Sequence, residues 1–362
     1  APGNGGGVHI TGPGDIDITG GVVSNNTASA EGGGLWNGTG LMTITRVKID
    51  GNSATGASAD QGGGGVFNAG GMIMIAASTI SNNTVDGDGS GAGVHNDAGG
   101  TVMLRYGTIS GNHSNTTGGG ITNTGTFTIV ASTIANNSAG ADGGGVFQTN
   151  ADNSIDFSSS IVATNTAGGA GVDIAGMGTI TSSGYNLIGI DDTDSFMGDA
   201  TDVEGDMASP ADPNLEPLAD NGGMTDTHAI GCPSPATNAG DPNNMDPDQR
   251  GEMVFEGRRD MGAYERQEAC TVGIEELEPL LGSTVYPNPV RSGQLTLEIP
   301  DRTNMEVWIQ VTEAATGRLL FQQQATTGQV QLDLSTFSSG LYHIQVQTAE
   351  AVAIHKVVVL NE

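Results

Sequence analysis

Apolar residues fall into three short patterns that follow one another in fixed order through the first half of the chain. The first is a glycine cluster ending on an aliphatic residue, at Val8, Leu35, Val66, Val94, Ile121, Val146 and Val172, in steps of 27, 31, 28, 27, 25 and 26 residues. The second is an alternating apolar pair: Ile16/Ile18, Met42/Ile44, Ile73/Ile75, Val102/Leu104, Phe127/Ile129 and Ile155/Phe157. The third resembles Ser-Thr-Ile-Ser-Asn-Asn, with its aliphatic residue at Val23, Ile49, Ile80, Ile109, Ile134 and Ile161. Period-two alternation makes each pattern a strand with one buried face. Three short strands every 25–31 residues, with no helical stretch between them, cannot build a βαβ sheet. They fit a coil in which each turn gives one strand to each of three parallel sheets. Over residues 1–190 the pattern therefore predicts a parallel β-helix, right-handed by the crossover rule, with equivalent residues stacked ~4.8 Å apart.

The polar positions support the coil. Asn26, Asn52, Asn83, Asn112, Asn137 and Asn165 recur after the third strand and predict a ladder of stacked amides. A second ladder is expected at Asn37, Asn68, Asn96 and Asn123, from which Gln148 departs. The glycine clusters suit corners where backbones approach closely. The insertions Ala54–Asp60 and Asp86–Ser90 are expected to bulge as loops.

Composition sharpens this reading. The chain has 362 residues, of which 59 are glycine and only 4% aromatic, which disfavours a large conventional enzyme core. It carries 41 acids against 11 bases, with lysine only at Lys48 and Lys356, which excludes a nucleic-acid surface. Residues 191–270 hold 19 acids and 4 bases, the most acidic part of the chain. No apolar run is long enough for a transmembrane segment. Ala1-Pro-Gly-Asn has no leader character and reads as a processed end. Cys232 and Cys270 flank the acidic segment; they pair in an oxidising compartment and stay free in a reducing one.

Candidate chemistry is thin. Asp86-Gly-Asp88-Gly-Ser90-Gly91 with Asp97 has the outline of a calcium loop, but no helices flank it and Gly91 belongs to the repeat. Asp191, Asp192, Asp194, Asp199, Asp202, Glu204 and Asp206 could surround a cation; an acidic surface loop is the plainer expectation, and no cofactor is implied. Lyase chemistry needs a base near carboxylates, and the coil offers only Arg46, Lys48 and Arg105. Asp17 and Asp156 occupy equivalent outward positions, five rungs apart. His9, His95, His113, His228, His343 and His355 lack metal-ligand spacing. Trp36 falls in register with Phe67, His95, Thr122 and Phe147, a mixed row that is weak support for sugar stacking. The expectation is a protein without catalytic activity; a carbohydrate-active enzyme or polysaccharide binder is the alternative.

Two resemblances follow from longer motifs. The repeats resemble those of secreted bacterial β-helix proteins, including polymorphic outer-membrane-protein relatives. Gly184-Tyr185-Asn186-Leu187-Ile188, Asp212-Pro213-Asn214-Leu215, Leu218–Thr225, Asp248-Gln249-Arg250-Gly251 and Asp260-Met261-Gly262-Ala263-Tyr264-Glu265 resemble the region called choice-of-anchor Q. That likeness implies an exported protein in which residues 191–270 cap the C-terminal end of the coil. Residues 271–284 read as a linker. Residues 285–362 contain short strands at the spacing of a small antiparallel Ig-like sandwich. Tyr286-Pro287-Asn288-Pro289, Thr316-Gly317-Arg318, Leu332-Asp333-Leu334, Gly340-Leu341-Tyr342 and Lys356-Val357-Val358-Val359 make this segment similar to the type A C-terminal sorting domain of the type IX secretion system. The resemblance implies contact with that machinery and an extracellular or outer-surface location, where Cys232 and Cys270 would form a disulfide. The N-terminal rung, with only Ala1–Gly7 before it, predicts open strand edges and end-to-end self-association into fibres.

Overall fold

The computed structural model describes residues 3–269, 283–300, 306–314, 318–326, 328–347 and 352–360. They divide into two compact units, residues 1–270 and 271–362.

The first unit is the expected parallel β-helix. A seven-stranded sheet runs from Val8–Ile10 to Ile174–Gly176, an eight-stranded sheet from Ile16–Thr19 to Phe196–Met197, and another eight-stranded sheet from Val22–Ser24 to Val203–Glu204. Every pairing in them is to the preceding or following rung and is parallel, so like residues stack: Ile16 on Met42, Met42 on Ile73, Ile73 on Val102. The core is this stack, with Leu35, Met42, Ile44, Ile80, Leu104, Phe127 and Phe157 fully buried. A sequence pattern of small strands thus yields one continuous core, in which each rung completes the burial of its neighbours.

Four features differ from expectation. A fourth ladder of two-residue strands, Thr27–Ala28 to Thr166–Ala167, forms between the third sheet and the next glycine corner. Two registers shift near the C-terminal end: Val162, not Ile161, stacks inside on Ile134, and Ile174, not Val172, stacks on Val146. Ile161 instead stacks on the outward Thr133. The two insertions also do more than bulge, because Gly62 and Ser90 form a parallel bridge and the Asp88 N–H donates to the Gly56 carbonyl at 3.1 Å.

The fourth difference concerns the acidic segment. Coil pairing continues past residue 190, since Phe196–Met197 and Val203–Glu204 each add a strand to the last rung. The expected cap is made by the start of the segment: residues 191–206 close the last rung, where the Gly205 N–H donates to the Ile188 carbonyl, and the Ala211 N–H donates to the Gly189 carbonyl, but most of residues 212–269 lie elsewhere. They run back along the outer face of the third sheet as a strap. The Gly262 N–H donates to the Ser159 carbonyl, the Ser110 hydroxyl meets His228 Nε2 at 2.8 Å, and Lys48 pairs with Asp226 at 2.7 Å. Under this strap the outward residues Thr79, Ser81, Thr108, Ser110 and Thr133 are at most 2% exposed. At its far end Ile161, Ala163 and Leu187 pack on Ile230, Ala236 and Met261 in a second apolar cluster outside the coil.

The second unit is all antiparallel. A three-stranded sheet (Thr284–Tyr286, Gln294–Ile299, Gly328–Asp333) and a four-stranded sheet (Leu319–Thr326, Glu306–Glu313, Gly340–Gln347, Val352–Val359) share one core. Leu295, Leu297 and Leu332 of one sheet and Ile309, Val311, Ile344 and Val357 of the other are 0–1% exposed, the alternation of a small sandwich. Residues 271–282 of the expected linker, and Thr316 and Gly317 of the turn motif, lie outside the described residues, while Thr284 already belongs to the sandwich.

Candidate functional site

Each corner before the asparagine ladder is left-handed: Asn25, Gly51, Asn82, Gly111 and Asn136 have φ between +53° and +68°. Asparagine and glycine tolerate that conformation best, which explains the Asn-Asn and Gly-Asn pairs of the repeat. The corner turns the next side chain inward. Asn52 Nδ2 then donates to Asn83 Oδ1, Asn83 Nδ2 to Asn112 Oδ1, and Asn112 Nδ2 to Asn137 Oδ1, all at 2.8–2.9 Å. Asn26 begins the ladder and Asn165 ends it. The second ladder also forms, and Gln148 continues it rather than leaving it: Asn123 Nδ2 donates to Gln148 Oε1 at 2.6 Å.

Carboxylates close these rows. Asp173 Oδ1 accepts from the backbone N–H and the amide of Asn165, and its Oδ2 accepts from the Ile190 N–H. Asp202 accepts from the backbone and amide of Asn186, and Asp191 from the backbone of Ser195 and Phe196. Within the acidic cluster Asp202 and Asp192 thus accept N–H groups of the coil, while Asp191, Asp199 and Asp206 accept from their own loop. Among the described residues no group of acids, histidines and cysteines is arranged to hold a metal, the Asp86, Asp88 and Asp97 loop included.

The strap is fixed by buried polar groups that pattern reading did not assign to this role. Gln249 is 3% exposed; its Nε2 donates to Thr79 Oγ1, Thr225 Oγ1 and the Asp226 carbonyl, and its Oε1 accepts from Thr108 Oγ1. Asp248 pairs with Arg250 at 2.8 Å, and the Arg250 guanidinium lies 3.7 Å from the centre of the Tyr264 ring. Glu265 accepts from the Phe255 and Asp260 N–H groups. The Asp248-Gln249-Arg250-Gly251 and Asp260–Glu265 motifs are thus a clamp on the third sheet. Their signal in the sequence was the motif itself, without a hint of where it docks.

Burial raises the carboxyls of Asp173 to about 6 and of Glu265 to about 7, and also raises that of Asp260. Asp173 and Glu265 hold a proton more tightly folded than unfolded, where their ordinary values are 3.8 and 4.5. Their contribution to stability is therefore full below those ordinary values and is lost as pH rises through about 6 and about 7. Burial lowers His95, His228 and His355, which acts the other way at low pH, so the carboxyl contribution is read by difference. The change in thermal midpoint from pH 8 to pH 5 is expected to be less favourable to low pH in Asp173→Asn than in the unsubstituted chain; calorimetry that finds the same change in both contradicts this account.

The remaining candidates do not assemble into a catalytic group. Asp17 and Asp156 share a row five rungs apart, ~24 Å at the interstrand spacing. That is too far for two acids to act on one glycosidic bond. In the aromatic row, His9 lies against Trp36 at 4.2 Å and Phe67 stacks on His95 at 4.8 Å, but Phe67 and His95 are each 1% exposed. The middle of the row is therefore closed, while His9 at its start is exposed and Trp36 and Phe147 are partly buried. Cys232 is disulfide-bonded, and Cys270 lies outside the described residues.

In the second unit the Tyr286–Pro289 motif ties the start of the sandwich to its last strand. Asn288 Nδ2 donates to the Lys356 carbonyl at 2.8 Å, its Oδ1 accepts from the Val358 N–H at 3.0 Å, and Val290 bridges to Val359. Both X-Pro bonds of the motif, before Pro287 and Pro289, are cis. Tyr342 is buried beside Phe337 and donates to the Ser338 carbonyl, and a Cβ at Gly340 would make only ordinary contact with its ring, at 3.6 Å. Lys356 contributes its backbone, while its side chain faces water.

Residues 284–360 match the family described as the secretion system C-terminal sorting domain. A search of curated proteins finds no significant match to the chain. Among the described residues no helix is long and apolar enough to cross a membrane. The strand order of the first unit and the matched segment of the second together make the chain a secreted parallel β-helix protein with a type IX secretion system sorting domain, exported to the cell surface or released outside it.

Proposed function

We propose that this exported chain is a non-catalytic, adhesive scaffold that associates with further copies through the first rung of its coil. The observation that carries the reading is the asymmetry of the two ends. Among the described residues Val8–Ile10, Ile16–Thr19, Val22–Ser24 and Thr27–Ala28 are each bonded to a neighbouring strand on one side only. Val8, Ile10, Ile16, Ile18 and Val23 are only partly buried there. The strands at the other end are also bonded on one side only, but they lie over a closed core: Ile174 is 0% and Phe196 6% exposed, and Ile180 and Ile188, covered by the Phe196–Met197 and Val203–Glu204 strands, are 0% exposed. At that last rung Phe196 packs edge-on against Phe157, and Asp173, Asp191 and Asp202 accept the outgoing N–H groups.

Free strand edges bind other strands. Fibre growth by coil-on-coil stacking needs both ends, and the closed end argues against that route. End-to-end growth is left to a first rung meeting the strand Leu319–Thr326, which also lies at the edge of its sheet. Light scattering of the full chain is expected to show a mass that rises with concentration and falls back to the monomer in Ile16→Asp. A monomer at every concentration overturns the self-association.

A further inference from the structure

The outer face of the four-stranded sheet in the second unit carries one open indole in a field of amides. Trp308 is 45% exposed, and its ring stacks on nothing among the described residues. Strand pairing sets Gln324 and Gln347 directly beside it, one on each flanking strand, and Gln310 follows two residues along its own strand. Gln322 and Gln345 flank Gln310 in turn, on the diagonals from the indole. All five positions lie within reach of a large side chain. On the other side of the ring stand Glu306 and Thr326, so no apolar residue adjoins it among the described residues. The inward members of these strands, Val307, Ile309 and Val346, are 0% exposed and fix the sheet beneath.

We propose that this face binds a neutral oligosaccharide. The indole is an accessible apolar plate with a negative π-face, which suits the C–H face of a pyranose. Each surrounding amide offers donors and an acceptor, as sugar hydroxyls do. Gln310 and Gln322 have no side-chain hydrogen bond to give up among the described residues. Charge decides against the other ligand classes. The one charge beside the ring is Glu306, whose carboxylate already accepts from Gln324 Nε2 at 2.9 Å, so a cation finds no free counter-charge. An anion finds no guanidinium or ammonium beside the indole, and the chain carries a net charge of −30. A protein partner is disfavoured because interfaces set their tryptophan anchors in a desolvated apolar core, whereas amides ring this one.

This gives the adhesive part of the reading above a ligand class and rests on it, while self-association uses strand edges instead. Calorimetric titration of the full chain with cellohexaose, laminarihexaose and mannohexaose is expected to give a dissociation constant of about 0.1–1 mM for at least one of them. In Trp36→Phe, where Trp308 is the one indole left, the same titration should shift the emission of its ring. Trp308→Ala should weaken binding about tenfold and Gln310→Ala about fivefold, with Trp308→Tyr restoring part of the loss and the thermal midpoint unchanged in all three. Oligogalacturonate should bind more weakly than the neutral chain that binds best. No heat from any of the three neutral hexaoses up to about 10 mM overturns the proposal, as does tighter binding of oligogalacturonate or binding that Trp308→Ala leaves intact. Light scattering without sugar reads self-association separately, so either idea can fail alone.

Discussion

Gly120→Ala is expected to destabilise the coil by about 3 kcal/mol or more, the upper end of what forced overpacking does. A Cβ at Gly120 would sit 2.5 Å from the carbonyl oxygen of Gly145 in the next rung and 3.2 Å from the Asn137 amide. Gly34, Gly65, Gly93 and Gly145 occupy the same row, each 2.5–2.6 Å from a backbone oxygen of the rung that follows. None of them has a positive φ, so conformation is not what demands glycine here; the space between rungs is. The obstacle is backbone tied into a stack at ~4.8 Å, so neither side can yield without separating a rung. Gly14→Ala is the control, since its Cβ would meet only a methyl of Ile10 at 3.6 Å. Urea denaturation of both variants checks the pair. Equal midpoints would show that the rungs part more readily than their spacing implies.

Asn112→Ala is expected to lower stability by about 3–5 kcal/mol, because it strands several buried groups at once. Asn112 Oδ1 accepts from the backbone N–H and the amide of Asn83, both at 2.9 Å, and its Nδ2 donates to Asn137 Oδ1 at 2.8 Å and the Ile80 carbonyl at 3.0 Å. Alanine removes all four bonds, orphans the Asn83 backbone N–H, and leaves Asn83 Nδ2 only the Ile49 carbonyl and Asn137 Oδ1 only the backbone N–H of residue 112, in a row that is 0% exposed. Asn26→Ala, at the part-buried start of the ladder, should have an effect of only about 1 kcal/mol. A melting curve equally displaced by both variants would mean that position in the ladder is irrelevant, contrary to the burial gradient.

The coil was legible because its rungs share a core, and a shared core imposes the same spacing again and again. Ile49, Ile80, Ile109 and Ile134 each lie three residues before a ladder asparagine, and this offset is itself the register. It singles out Val162 before Asn165, whereas the bulkier and more familiar Ile161 drew the pattern off by one. Glutamine in place of asparagine at Gln148 keeps the amide and adds one methylene, which the wider turn at Asn150 and Asn153 accepts. The strap was not legible, for a physical reason. Thr79 and Thr108 beneath it are the same residue type as Thr43 and Thr128 on the uncovered second sheet. A small hydroxyl residue is at home on a wet surface and equally so under a layer that supplies Gln249 as partner. The strap itself has almost no alternation to read, only the isolated bridges Leu215–Ile230 and Ala219–Thr227.

The outward row of the third sheet changes character along the coil, and this sets an order of assembly. Its early members are Lys48, Thr79, Thr108 and Thr133; its late ones are Ile161 and Leu187. The early rungs can form with that face in water, because nothing on it needs cover. The last two cannot, since their outer apolar side chains are buried only once Ile230 and Met261 arrive. Residues 205–269 follow every rung in the chain, so the coil can grow from its first rung, but its last rungs are covered only when a segment beyond them folds back along its side.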